Sequence, residues 1–298
     1  MAVYKRTYTR YTGALTNERW RFLILPRYML QSVFSKRFTG AAFMLALVPH
    51  LIAMVLIYLR GNATAFIGLD MPEAARSLGF LSIDGNFFLT LFAAETFLSF
   101  AIVAFLGPGL IAPDLANNAL PLYLSRPFSR AEYVLGKLSI LIILTSAITW
   151  LPGILLFVLQ TSMTEWSWAS DNVRILVGLI IGSWIWILTT SLISLAISAW
   201  VKWRTIATSA LLGIYFVAAG FGTVTNAILD TRWGALLNMA ANMRMVWRWL
   251  FLNESTYYTT IPRSFAIPAW TGLAAMAVVC AMALMMLAWK IRPAEVVR

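Results

Sequence analysis

Few residues in the apolar parts of this sequence are able to do chemistry. The long apolar runs hold one carboxylate, Glu95, and one histidine, His50, and the chain has a single cysteine, Cys280. Catalysis inside a membrane usually needs paired carboxylates, a nucleophile with a base, or a set of metal ligands. These three residues do not supply such a set, and one cysteine has no intrachain disulfide partner. We therefore expect no catalytic residue, no metal site and no cofactor in this chain.

Glu95 is the charged residue that most needs an explanation. It lies eight residues into its apolar run, which is about 12 Å from the end of the run at about 1.5 Å per residue. A charge near the centre of a bilayer costs about 3 kcal/mol, so this side chain is expected to face protein or water. Two interpretations stay open: Glu95 lines a translocation pathway, or it is a neutralised carboxyl bonded to a neighbouring helix. His50, which follows Pro49, is interpreted as a packed, neutral residue.

The stretch "GKLS" at residues 136–139 is similar to the tail of a phosphate-binding loop. That motif needs a glycine five residues before its second glycine and a Ser or Thr directly after its lysine. Ala131 and Leu138 occupy those two places. The chain is therefore not expected to hydrolyse ATP by itself.

The elements that must position these residues are membrane spans. The chain has 298 residues, of which 60% are hydrophobic and 12% charged, and its mean hydropathy is +0.77. A soluble domain has about 25% charged residues, so the composition indicates a membrane protein. A spanning helix needs about 20 mainly apolar residues. The sequence predicts an all-α, polytopic protein with a single transmembrane domain, whose six spans are residues 40–59, 87–112, 138–160, 175–201, 205–229 and 264–289.

The orientation of the spans follows from the basic residues between them. With a cytoplasmic N-terminus, 16 of the 23 Lys and Arg residues lie in cytoplasmic segments and 7 in external ones. Both termini are therefore predicted to be cytoplasmic, and the polar, basic start of the sequence is not a cleavable signal peptide. This distribution also accounts for the net charge of +11, so nucleic-acid binding is not expected.

Two connecting segments are predicted to form amphipathic helices. Within the N-terminal segment 1–39, residues 14–38 mix aromatics, aliphatics and arginines with a break at Pro26, which is typical of an elbow helix at the inner leaflet. It is either a simple anchor or also a contact for a cytoplasmic partner. The external segment 230–263 carries one apolar stripe at helical spacing. The stripe consists of Leu236, Ala240, Met243, Trp247 and Leu250.

Small residues recur along spans four and five at spacings that let helices approach closely in lipid. They serve either packing within one chain, which we favour, or a seam between two copies. Those residues are Gly178, Gly182, Ser191, Ser194 and Ser198 in span four and Gly213 and Gly220 in span five.

The segment between spans two and three, residues 113–137, is too structured for a plain linker. Pro121 and Pro127 bend it. Ser129, followed three residues later by Glu132, predicts an N-cap and capping box at the start of span three. An apolar face at helical spacing is formed by Leu120, Tyr123 and Leu124.

The sequence of this segment, "PDLANNALPLYLSRPFSRAEYVLGKL", resembles the signature of ABC-2-type permeases, the membrane subunits of one class of ATP-binding-cassette exporter. The departure is "NNAL" at 117–120, where many members have a Gly-Thr-hydrophobic-acidic run. The span count, the basic N-terminus and the long segment before the last span are similar to the family as well. The matching residues are Leu124, Ser125, Pro127, Ser129, Arg130, Gly136 and Lys137.

This resemblance implies a dimer of permeases in the plasma membrane, the bacterial inner membrane, bound to two copies of a cytoplasmic ATPase subunit. ATP and Mg would be bound by that ATPase, and the substrate is not identified. Segment 113–137 would be the coupling segment, with Arg126 and Arg130 facing acidic groups of the ATPase or lipid phosphates. The alternative is a membrane protein without transport activity, such as a sensor or assembly factor. The expected coupling residues are Leu120, Tyr123, Leu124, Ser125, Arg126, Pro127, Ser129, Arg130 and Glu132.

Overall fold

The structure of the protein is a computed structural model. It describes residues 24–35, 37–62, 82–119, 129–258 and 266–291. Six helical stretches in these residues are long and apolar enough to cross a membrane, which confirms the predicted all-α, polytopic fold. We number them span one to span six. Their bounds are Arg37–Gly61, Gly85–Ala116, Arg130–Met163, Val173–Trp200, Arg204–Leu229 and Ala269–Lys290.

Three of the spans are interrupted rather than continuous. Span two consists of α3 (Gly85–Leu106) and α4 (Pro108–Ala116), and span three of α5 (Arg130–Ser146) and α6 (Trp150–Met163). Pro108 and Pro152 stand at or just after these breaks, because proline has no N–H for the helical ladder and its ring clashes with the preceding turn. Span four contains a π-helical turn, Gly178–Gly182, between α8 (Val173–Val177) and α9 (Ser183–Trp200). The uninterrupted spans are α2 (Arg37–Gly61), α10 (Arg204–Leu229) and α12 (Ala269–Lys290).

Helix ends are placed by local signals that the sequence contains. The side chain of Asp84 accepts hydrogen bonds from the backbone N–H groups of Asn86 and Phe87 and so starts span two. The capping box predicted at Ser129 and Glu132 is confirmed. It starts span three at Arg130, so Lys137 belongs to the helix rather than to the preceding segment.

Span four lies at the centre of the bundle. Of its apolar window 61% is buried, against 22% in span one and 17% in span five. Three of its serines, Ser191, Ser194 and Ser198, are fully buried within this one chain. The hydroxyl of Ser198 accepts from the backbone N–H of Ala112 at 2.9 Å and donates to the carbonyl of Pro108 at 2.9 Å. The serine face therefore serves packing within the chain, where it bridges the break in span two.

The glycines of the two spans differ from one another. A Cβ on Gly182 would lie 2.7 Å from the indole ring of Trp247, so this glycine admits a neighbouring helix of the same chain. Gly213 and Gly220 have nothing within 4 Å of such a Cβ among the described residues. These two glycines of span five therefore lie on an open face of the chain.

The amphipathic helix predicted before the last span is present as α11 (Met239–Leu252), capped by Asn238. Met243 and Trp247 of the predicted stripe are buried against the bundle. The inclusion of Leu236 in this helix was wrong, because that residue belongs to a separate 3₁₀ turn, Trp233–Leu237. A short antiparallel pair of strands follows, β1 (Thr256–Tyr258) and β2 (Ala266–Pro268).

The N-terminal helix α1 (Ile24–Phe34) and the short α7 (Trp166–Asp171) complete the helices of the described residues. Pro26 is the third described residue of α1, and the residues before Ile24 lie outside the described ranges, so the predicted break at this proline stays a prediction. Leu25, Met29 and Leu30 pack against the cluster that includes Tyr133 of span three. The position of α1 at a membrane surface stays a prediction.

Candidate functional site

An ion pair ties the end of span two to the start of span three. Nζ of Lys137 lies 2.8 Å from Oδ2 of Asp114, and the side chain of Lys137 is fully buried while that of Asp114 is 16% exposed. The hydroxyl of Tyr133 donates to the same carboxylate oxygen at 2.7 Å. Lys137 also contacts the sulfur of Met29 in α1 at 3.6 Å. We call the set Asp114, Tyr133 and Lys137 the polar joint.

The sequence folds locally so that these groups meet. Tyr133 and Lys137 are four residues apart on α5, so both side chains lie on one face and reach the same carboxylate. The box at Ser129 fixes where α5 starts: its backbone N–H donates to Oε2 of Glu132 at 2.6 Å, and its hydroxyl accepts from the Glu132 N–H at 3.2 Å. On the other side, α4 ends at a turn in which Asn118 has a φ of 50°, a conformation that asparagine tolerates.

The polar joint was not predicted from the sequence. Asp114 and Lys137 both lie in the predicted coupling segment 113–137, and no contact between them was predicted. The sequence does contain a signal for this contact. A lysine beside an apolar run needs a partner, and Asp114 stands just after the neighbouring apolar run. The predicted bounds of span three, 138–160, left Lys137 in the connecting segment, although the capping box predicted at Ser129 already implies a helix that begins before Lys137.

Three of the nine expected coupling residues lie within the described part of the chain. Ser129, Arg130 and Glu132 form the first turn of span three, and the side chain of Arg130 is exposed. The remaining six lie outside the described residues, and their roles stay predictions. They are Leu120, Tyr123, Leu124, Ser125, Arg126 and Pro127.

The "GKLS" stretch lies inside a helix and does not form a phosphate-binding loop. Gly136 and Lys137 are buried inside the helix Arg130–Ser146, and Ser139 donates to the carbonyl of Leu135 one turn earlier. A phosphate-binding loop offers open backbone N–H groups, and a helix interior does not. The stretch therefore has a structural role.

A second polar contact lies deep in the bundle. Nε2 of His50 in span one and Oε1 of Glu95 in span two are 2.6 Å apart, and the two residues are 4% and 2% exposed. The contact is close, yet the ring N–H does not point along it as a hydrogen bond requires. The ring also lies beside the backbone of Thr149, in the turn that interrupts span three. We call His50 and Glu95 the membrane pair.

The contact between His50 and Glu95 bears on the two interpretations of Glu95 that the sequence left open. Glu95 faces protein rather than lipid, as predicted, and its neighbour is a side chain of another helix. His50 is packed, also as predicted. The pair connects spans one and two and touches the break in span three. A role of Glu95 in a translocation pathway stays a prediction.

Within the described ranges no group of three or more His, Cys, Asp or Glu side chains is placed to hold a metal ion. No protein-family model matches the chain, and no curated protein matches it in sequence. The six long apolar helices of the described residues define a polytopic, all-α membrane protein.

Proposed function

We propose that this chain is the membrane-spanning permease subunit of an ATP-binding-cassette transporter of the ABC-2 type. It forms a translocation pathway as a dimer, exports its substrate, and is driven by a separate cytoplasmic ATPase that binds ATP and Mg. The protein belongs to the plasma membrane, in bacteria the inner membrane.

One observation carries this proposal: the polar joint clamps both ends of the segment whose sequence resembles the family signature. Asp114 lies near the start of the segment and Lys137 at its end, and the 2.8 Å contact between them holds the two ends together. Breaking one partner of a buried ion pair costs about 3–5 kcal/mol, so the clamp is firm. A segment held in this way passes a push from a partner to spans two and three instead of absorbing it.

The connections of those spans support the same function. Span two continues from the joint through the Ser198 bridge into the centre of the bundle. It also carries Glu95 of the membrane pair. A displacement at the joint therefore reaches the serine face of span four and the pair by a chain of direct contacts.

The open face of span five supports the dimer. Only 17% of its apolar window is buried in the chain, and Gly213 and Gly220 are uncovered on it. Small residues on such a face admit a second helix at close range. We propose that the second permease copy packs here.

The proposed function is tested by co-expression with the ATPase that its gene neighbourhood supplies. The wild-type chain is expected to retain the ATPase through purification and to support substrate-stimulated hydrolysis in vesicles. Replacement of Tyr123 and Leu124 by Ala, or Arg126→Glu, is expected to lower ATPase binding at least about tenfold, since a docking contact is lost. Arg248→Glu on α11 is the matched control and keeps binding.

Full binding and coupled hydrolysis in both variants would contradict the coupling role of the segment. A wild-type chain that retains no ATPase would favour a sensor or an assembly factor instead. Cysteine labelling in a Cys280→Ala background tests the orientation: positions 5, 126, 202 and 292 are expected to be shielded in intact cells, and positions 84, 165 and 248 to react from outside. In the same background, Gly213→Cys is expected to crosslink two copies.

A further inference from the structure

An apolar groove of about 340 Å³ runs along the outside of the bundle between spans one and two. Phe38, Ala42 and Leu45 form one wall, and Ala101 and Phe105 form the other. The side chains of Phe38, Leu45 and Phe105 are exposed, so the groove opens outward rather than into the protein core. Its surroundings in a membrane are therefore lipid.

Among the described residues, Arg204 is the charged residue that lines this groove. Arg204, at the start of span five, donates from Nη2 to the carbonyl of Phe105 at 2.8 Å. Its guanidinium lies over Gly109, where a Cβ would be only 3.3 Å from Nε. An arginine has several N–H donors in a planar fork that matches a phosphate group. The Phe105 carbonyl therefore orients the guanidinium and leaves further donors for an anion.

The dimensions suit one leaflet of a bilayer. From Phe38 to Leu45 span one rises about 10 Å at about 1.5 Å per residue. The hydrocarbon of a single leaflet is about 15 Å thick. The ring of Phe38 contacts that of Phe105, and Arg204 binds the Phe105 carbonyl, so Phe38 and Arg204 stand at the same end of the groove. A chain that fills the groove thus has its polar end at Arg204.

We propose that the groove and Arg204 form a binding site for an anionic phospholipid, with an acyl chain in the groove and the phosphate on the guanidinium. The predicted topology places Arg204 at the cytoplasmic face, where anionic lipids attract basic side chains with about 1 kcal/mol for each charge. The proposal does not depend on the transport function, because it rests on the groove and on the arginine alone.

Arg204 also has a structural role, since a cation at the last carbonyls of a helix stabilises it. That role by itself predicts no preference between lipids. The test is therefore selectivity rather than stability: native mass spectrometry of the purified protein titrated with phosphatidylglycerol and, separately, with phosphatidylcholine. We expect the wild-type chain to bind phosphatidylglycerol about fivefold more tightly, the ratio that about 1 kcal/mol corresponds to.

Three variants distinguish the parts of the site. Arg204→Gln is expected to lose the preference and Arg204→Lys to keep most of it, while Ala42→Phe is expected to fill the groove and weaken both lipids. Arg232 is the matched control, because it also donates to a backbone carbonyl, that of Ala266 at 3.0 Å, away from the groove. Arg232→Gln is expected to leave lipid binding unchanged, as is Ala227→Phe on the exposed face of span five.

Several outcomes would overturn the proposal. Equal affinity of the wild-type chain for the two lipids would do so, and so would a preference that survives in Arg204→Gln. Undiminished binding in Ala42→Phe would show that no acyl chain occupies the groove. Displacement of the lipid by millimolar inorganic phosphate would show that the arginine binds a free anion and not a lipid. If Arg204→Gln does not fold, Arg204→Lys and Ala42→Phe still decide the question.

Discussion

Two buried polar contacts in the described residues, the polar joint and the membrane pair, connect neighbouring spans in different ways. In the polar joint, one carboxylate oxygen of Asp114 receives both the ammonium of Lys137 and the hydroxyl of Tyr133. In the membrane pair, His50 and Glu95 stand 2.6 Å apart, and their side-chain nitrogen and oxygen atoms have no well-formed hydrogen bond among the described residues. The polar joint lies near a helix end and its polar groups are hydrogen-bonded. The membrane pair lies inside the bundle and lacks well-formed hydrogen bonds.

This difference teaches what each pair is suited for. A lysine with a carboxylate and a tyrosine in one buried cluster has a single good arrangement, which suits a fixed connection. A histidine and a glutamate can both be neutral, so their contact can change without stranding a charge. The joint is therefore expected to govern stability and coupling, and the membrane pair to respond to what happens in the bundle.

The largest effect is expected at the joint. Lys137→Met leaves Asp114 without its cation and should lower the free energy of unfolding by about 3–5 kcal/mol. The double change Asp114→Leu with Lys137→Met removes both charges and should recover much of that loss. Thermal unfolding in detergent measures both variants, with the exposed Lys202→Met as the matched control. A Lys137→Met protein as stable as the wild type would show that the joint does not hold spans two and three.

A smaller effect is expected at the membrane pair. Glu95→Gln should lower the free energy of unfolding by about 1–3 kcal/mol, the cost of a disturbed buried polar contact. If Glu95 also lines the pathway, the variant alters transport while ATPase binding persists. Transport into vesicles and its pH dependence measure this, with the exposed Glu165→Gln as control. Unchanged transport would leave Glu95 a structural role only.

Two glycines of span five give a second comparison, between a position that contacts the rest of the chain and one that does not. A Cβ on Gly222 would collide with the backbone carbonyl of Gly234, which cannot rotate away. Gly222→Ala should therefore destabilise the protein by about 1–3 kcal/mol. Gly213→Ala meets nothing in the chain and should be neutral or stabilising by up to about 1 kcal/mol. Equal unfolding temperatures for the two variants would contradict the contact between α10 and the 3₁₀ turn.

The smallest effect is expected at an exposed ion pair. Nε of Arg248 lies 2.6 Å from Oε2 of Glu254, with side chains 39% and 38% exposed. Water screens such a pair, so Arg248→Gln should change the free energy of unfolding by less than about 1 kcal/mol. The same thermal unfolding assay applies. A loss of stability as large as that expected for Lys137→Met would show that burial does not make the polar joint stronger than an exposed ion pair.

The existence of the six spans could be predicted because a bilayer imposes one strong rule, a long apolar run without charges. Their interruptions could not, since helices in a bundle tolerate breaks where neighbours satisfy the freed backbone groups. The break at Pro108 shows this: Ser198, from a different span, supplies the missing hydrogen bonds. Nothing local in the sequence of span two indicates that serine.

The candidate site likewise contains a local feature that the sequence predicts and tertiary contacts that it does not. The capping box at Ser129 and Glu132 was predicted correctly because both residues belong to one turn and need no tertiary partner. The contact of Glu95 with His50 depends on how spans one and two are rotated about their axes, which hydropathy does not report. The polar joint was missed for this reason too, and because the start of span three was placed too late.

By itself the sequence determined the class of the protein, the number of spans, the predicted orientation and the caps at which helices begin. These follow from composition and from interactions within a few residues of each other. Only the tertiary structure decided which polar groups meet: Asp114 with Lys137, His50 with Glu95, and Ser198 with the broken end of span two. The physical reason is that apolar helices pack in many nearly equivalent rotations. The few polar groups that need partners, together with small residues such as Gly107 and Gly182 that admit a neighbour, select among them.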